Sequence, residues 1–124
     1  MFNSILKTVR EMIVGCEDDA SFDNTLIVDI NTALSTLTQV GLGPPEGFRI
    51  QDESSTWDDL IGDFKNLDMV KSYVHLKVKN LFDPSASSIV AQAQKEELAE
   101  NLWRIEDAVS HNEKKMEAKM NGRN

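Results

Sequence analysis

Between Leu67 and Phe82 apolar side chains nearly encircle what their spacing reads as one helix, and this constrains the fold more than any other feature of the chain. Leu67, Val70, Val74, Val78 and Leu81 make one stripe at helical periodicity; Met69, Tyr73, Leu76 and Phe82 widen it, and Lys71, Lys77 and Lys79 mark what stays in water. Such a helix has to lie between others that bury it. Pro84 stops it, because the residue before a proline is pushed out of the helical region.

The flanking segments supply the partners. Phe2, Ile5, Leu6, Val9, Met12 and Ile13 recur at helical spacing up to Gly15, which suits the left-handed position past a helix end. After the acidic turn Glu17, Asp18, Asp19, the Ser21 hydroxyl is placed to cap a second helix beginning near Phe22, with Asp23 and Asn24 in its first turn. Leu26, Ile30, Ala33, Leu34 and Leu37 form its stripe, with Ile27 and Val40 beside it and Gly41 as its stop. Thr56, Trp57, Asp58 and Asp59 read as a relative of the capping box, opening a short turn to Ile61. From Ser88 to about His111 a last helix puts Val90, Ala91, Leu98, Leu102, Ile105 and Val109 on its buried side, with Trp103 adjacent. Trp57 and Trp103 are expected to be packing anchors. The 124 residues suffice for one domain. The expectation is an all-α fold: a small helical bundle of about four main helices over residues 1–111, then a charged, flexible tail over 112–124.

Between helices 2 and 3 the pattern breaks into GLGPPEGFRIQDESST, whose prolines and glycines preclude regular helix and leave Phe48, Arg49 and Ile50 as a short extended piece. Loops of this length are uncommon in compact domains unless they bind something. Leu42, Pro44, Pro45, Phe48, Arg49 and Ile50 are therefore candidate partner contacts. A second reading, compatible with the first, has Phe48 and Ile50 folding back over the core as a lid.

Composition narrows the function. With 21 acidic against 13 basic residues the formal charge is −8, which opposes binding to nucleic-acid phosphates or anionic membrane. The weak basic cluster Lys114, Lys115, Lys119 and Arg123 reads as a solvated tail. A lone cysteine, Cys16, cannot close an internal disulfide, and the first segment has charges within its apolar stretch, unlike a signal sequence; cytosolic synthesis follows. No stretch reaches the roughly 20 apolar residues that span a bilayer.

Catalysis finds little support. His75 and His111 fall in different helices without further ligands nearby, and the acidic neighbours of Cys16 disfavour its thiolate. Adjacent Asp58 and Asp59 do not face each other on a helix, and no phosphate-cradling glycine motif is present. The expectation is no enzyme, with no catalytic residue, cofactor or metal.

The stretches SFDNTLIVDINTALSTLTQVGLGPPEGFRI, STWDDLIGDFKNLDMVKSYVHLKVKNLFDP and EELAENLWRIED together resemble the head-tail connector proteins of long-tailed bacteriophages, also called adaptor or head-completion proteins. The likeness covers about residues 3 to 110 and rests on the order and spacing of DINTAL, QVGLGP, TWDDL and the LKVKNLFDP to ELxxxxWR run. It implies a structural virion protein, made in the host bacterial cytoplasm, that joins copies of itself in a ring beneath the portal protein. Such a ring extends the DNA channel, without sequence-specific DNA binding, and offers a docking platform to the next neck or tail-completion protein. Under this reading the loop and the segment after Val109, with Lys114, Lys115 and Lys119, are the contact elements, and the terminal segment orders on docking to the portal. Acidic side chains lining the channel would keep the genome from adhering. A different class, a soluble helical regulator or inhibitor of a single partner protein, has the same composition and the same absence of catalytic motifs.

Overall fold

A computed structural model describes residues 3–121, with side chains through Lys114. Phe2 and Arg123, named above, lie outside the described residues, and the side chains of Lys115 and Lys119 are likewise not described. The helices are α1 (Ile5–Val9), α2 (Asp23–Gln39), α3 (Trp57–Ile61), α4 (Leu67–Phe82) and α5 (Ser88–Asn121). The architecture is all-α; among the described residues the only extended pairing is an isolated antiparallel bridge between Ser4 and Thr56.

The centre is α4, as its encircling apolar residues require. It packs against α2, α5 and the turn following α1. Val70, Tyr73, Val74 and Val78 are its buried face, at the i, i+3, i+4, i+8 positions that share one side of a helix. Leu81, expected in the same stripe, is exposed instead. On α2 the whole expected stripe is buried, joined by one polar residue, Asn31.

The ends of α2 show where local chemistry decides. At its C-terminus Gly41 has φ +91°, Gly41 N–H donates to Thr38 O at 3.0 Å and Leu42 N–H donates to Leu37 O at 3.0 Å, the paired bonds of a Schellman motif. A side chain at Gly41 would be strained by that φ and crowded by Val109 Cγ1, which would lie 3.3 Å from a Cβ. At its N-terminus no side chain caps the helix, so Ser21 does not play the expected part: its N–H donates to Asp19 Oδ1 at 3.0 Å. A buried arginine, described below, engages the first-turn carboxylate of Asp23 instead.

Helix α1 leads into a π-helical turn, Arg10–Val14, ended by Gly15 at φ +89°. Its start is tied to that of α3: Ile5 N–H donates to Ser55 O at 3.1 Å and Trp57 N–H to Asn3 O at 2.9 Å. Thr56 forms the expected capping box, its hydroxyl accepting from Asp59 N–H at 3.1 Å while Asp59 Oδ2 accepts from Thr56 N–H at 3.2 Å.

Helix α5 continues through His111, where the sequence pattern weakens, to Asn121. Its 34 residues make it about 50 Å long, against about 24 Å for the 16 residues of α4 on which it packs. A helix twice as long as its support must overhang. Accordingly Ile105 and Val109 are buried and Leu98, Leu102 and Ala108 pack against the core, whereas Val90 and Ala91, expected on the buried side, are exposed. Trp103 is also no anchor: it turns to solvent, 63% exposed, one position off the buried stripe, while Trp57 is fully buried.

Candidate functional site

The long loop is built onto the bundle. Asn31, buried on α2, uses both ends of its amide on one residue: Oδ1 accepts from Ile50 N–H at 2.8 Å and Nδ2 donates to Ile50 O at 3.1 Å. The side chain thus satisfies the backbone of Ile50 as a neighbouring strand would, which permits an irregular segment to enter the core. Leu42 and Ile50 are accordingly buried core residues. They are not available as partner contacts, and the lid arrangement is the one realised. Phe48 is half-buried against the same core, and Pro44 is half-buried. Pro45 and Arg49 remain exposed.

A second tie holds the loop's far end. Arg10, in the turn after α1, bonds Asp23 twice, Nε to Oδ1 at 2.9 Å and Nη2 to Oδ2 at 2.5 Å. Its Nη1 donates to Glu53 Oε2 at 2.5 Å and to Glu17 O at 3.0 Å. One buried guanidinium therefore joins α1, α2, their connection and the loop, with the planar fork suited to bidentate carboxylate binding. Hydrogen bonding to Asp23 outweighs the opposing effect of burial and holds the arginine's pKa above its ordinary value. Arg10 and Asp23 help to line an open cleft of about 800 Å³, with Asn3, Lys7, Gln51 and Thr56 also on its walls.

Neither tie was anticipated from the sequence, although signals existed. Arg10 follows Leu6 by four residues and so lies on the apolar face, where an unpaired charge would be costly. Asn31 sits inside the α2 stripe, next to Ile30.

The expected contact residues are distributed over several surfaces. Arg49 borders a groove on the outer side of α2, about 470 Å³ in volume, lined by Ile27, Val28, Asn31, Thr32, Ser35 and Thr36. Pro44 shares a smaller cleft, about 260 Å³, with Asp59, Asp63, Asn112 and Glu113, so the loop's start meets the late part of α5. Lys114 is exposed on α5.

Titratable groups gather at two of these surfaces: Arg10, Asp23 and Glu53 at the larger cleft, where they pair with one another, and Asp59, Asp63 and Glu113 at the smaller one. Cys16 and His111 are exposed, and the His111 ring nitrogen lies 2.9 Å from Asp107 O one turn back. Among the described residues no three of His, Cys, Asp and Glu lie together as metal ligands, and no helix is long and apolar enough to cross a membrane. Asp29 on α2 keeps Oδ2 sealed from water without a partner, and burial pushes its pKa up. Serine hydrogen bonds lower the pKa of Asp19 and Asp52, each capping its own turn.

What the fold defines is a small all-helical protein whose distinguishing features are presented outward: a clamped loop, a groove and an overhanging helix. Residues 5–112 match the family model described as phage connector protein, and the chain belongs to that family. It is thus a structural connector protein of a bacteriophage. No curated protein and no solved structure matches it.

Proposed function

We propose that the chain is the subunit of a ring at the head-tail junction, seated beneath the portal, where it extends the DNA channel and presents a platform to the next neck component. It performs no catalytic step. Family membership gives the structural role, and the observation that carries the finer reading is α5. This helix outruns the bundle and exposes Glu100, Glu106, Asp107 and Glu113 along its length. Repeated around an axis, such helices would surround passing DNA with carboxylates, which repel phosphates and leave the genome free to move. The exposed loop residues Pro45 and Arg49, together with Lys114 and the segment that follows it, are the contacts assigned to neighbouring subunits and neck proteins.

Disruption of the gene in its genome, followed by electron microscopy of the lysate and assay of DNA retention in heads, tests this reading. The expected result is filled or leaking heads beside separate finished tails. Normal particles would refute the proposal and favour a regulator of a single partner protein.

A further inference from the structure

We propose that copies of this chain join head to tail, the overhanging start of α5 from one copy lying in the groove on α2 of the next. The inference rests on the ring reading above and names the two surfaces that would build it.

The first surface is an arm. From Ser88 to Glu97 every side chain except that of Gln94 is exposed, and Ile89 is 81% exposed. Residues 84–94, PSASSIVAQAQ, carry no charge in a chain where 27% of residues do. The second surface is the α2 groove with Val28, 64% exposed, at its lip. Its lining contains no carboxylate, and its one charged member is Arg49.

Charge selects a second copy as the occupant. Each copy carries −8, so close approach of two copies favours surfaces poor in carboxylates or with a cation to meet them. The uncharged stretch 84–94 that opens the arm and the groove on α2 are two such surfaces, one projecting, the other concave. The first carboxylates on the arm, Glu96 and Glu97, come about two turns after Ile89, where Arg49 at the groove's rim can receive them and set the register.

Helix α4 packs on both α2 and α5, which places the arm and the groove of one chain on different sides of the bundle and leaves the groove to the arm of another copy. Where each copy gives its arm to one neighbour and receives an arm from a second, the contact is heterologous and generates a ring when the rotation closes; a reciprocal exchange within a dimer would stop the ladder at two and overturn the proposal. An arm of about 15 Å covers only part of the ~800 Å² per partner that a stable interface buries. A single contact is therefore weak, and closure of the ring, which makes every contact intramolecular, supplies the persistence.

Disulfide trapping tests this. In a Cys16→Ser background, Ile89→Cys and Val28→Cys are introduced singly and together, helicity is checked by circular dichroism, and oxidation is carried out on assembled particles and on concentrated purified protein. Both positions are exposed, so the core is untouched. The expected result is a non-reducing ladder of dimers, trimers and higher species from the double variant, in either setting, and none from the single variants. Dimers from Ile89→Cys alone would mean that arm meets arm, and a link to a different neck protein would mean that the arm serves another partner; either overturns the proposal, as does the absence of a ladder in both settings. If particles contain the protein yet give no ladder, the connector reading survives and only this contact falls. Normal particles after gene disruption would remove both.

Discussion

Replacing Arg10 by methionine should loosen the loop and the α1–α2 connection together, because one guanidinium holds both. The arginine is 3% exposed and makes four hydrogen bonds, two to Asp23, one to Glu53 and one to Glu17 O. Removing one partner of a fully buried ion pair costs about 3–5 kcal/mol. Here the stranded carboxylates reach water, Asp23 at 23% and Glu53 at 48% exposure, so the expected loss is smaller, about 2–3 kcal/mol. Methionine retains most of the aliphatic volume, which keeps any cavity contribution minor. With a urea slope of about 2 kcal/mol/M, the middle of the usual range for small domains, the unfolding midpoint should fall by about 1–1.5 M. Glu53→Gln, acting on the half-exposed partner, should cost only about 0.5–1 kcal/mol. Amide hydrogen exchange gives the local counterpart: amides of residues 51–55 should lose protection in Arg10→Met. An unfolding free energy within about 0.5 kcal/mol of the parent, or a Glu53→Gln loss equal to that of Arg10→Met, would refute the clamp.

Asn31→Ala should lower stability by about 2–3 kcal/mol, because it strands the N–H and C=O of buried Ile50, and exchange at the Ile50 amide should rise above that of the α2 core. Trp57→Phe should cost about 1–2 kcal/mol through the lost bond from Nε1 to Thr8 Oγ1 and reduced packing. It would leave Trp103 as the sole tryptophan, red-shifted and readily quenched by iodide; a blue-shifted, protected emission would contradict the exposure of Trp103. Asp29→Asn should stabilise the protein at neutral pH by up to about 1 kcal/mol. Burial raises the folded pKa of Asp29, so the favourable contribution of its protonated form is fully present below the unfolded value of 3.8 and is lost as pH rises through the raised folded value. The gap between Asp29→Asn and the parent should therefore narrow as pH falls toward 3.8, and urea midpoints showing a gap independent of pH would refute the assignment. Loss of the Asp19 and Asp52 contributions in acid is common to both proteins and cancels.

Features governed by neighbours in the chain were legible in the sequence, and those governed by distant residues were not. The Gly41 stop, the Thr56 capping box and the buried stripe of α2 depend on spacing within a turn or two, and all stand as read. The central place of α4 followed from its apolar breadth, a local pattern with a tertiary consequence. Leu42 and Ile50 show the opposite case. Within an irregular loop Leu42 reads as available and Ile50 as either a contact or part of a lid, and nothing within that segment reveals that Asn31, 19 residues before Ile50, satisfies its backbone and draws it into the core. Ser21 does not cap α2 because the helix starts one residue later than its spacing suggests: the cap position falls on Phe22, and Ser21 belongs to the preceding turn, its N–H held by Asp19. The error on α5 has another cause. Periodicity marks which residues share a face but not where that face runs out of neighbours, so Val90 and Ala91 were read as buried although α4 ends too soon to cover them. Residues that follow a core pattern yet lie beyond the reach of their own core are the ones that, under the proposed assembly, another chain can cover, and the start of α5 is such a place.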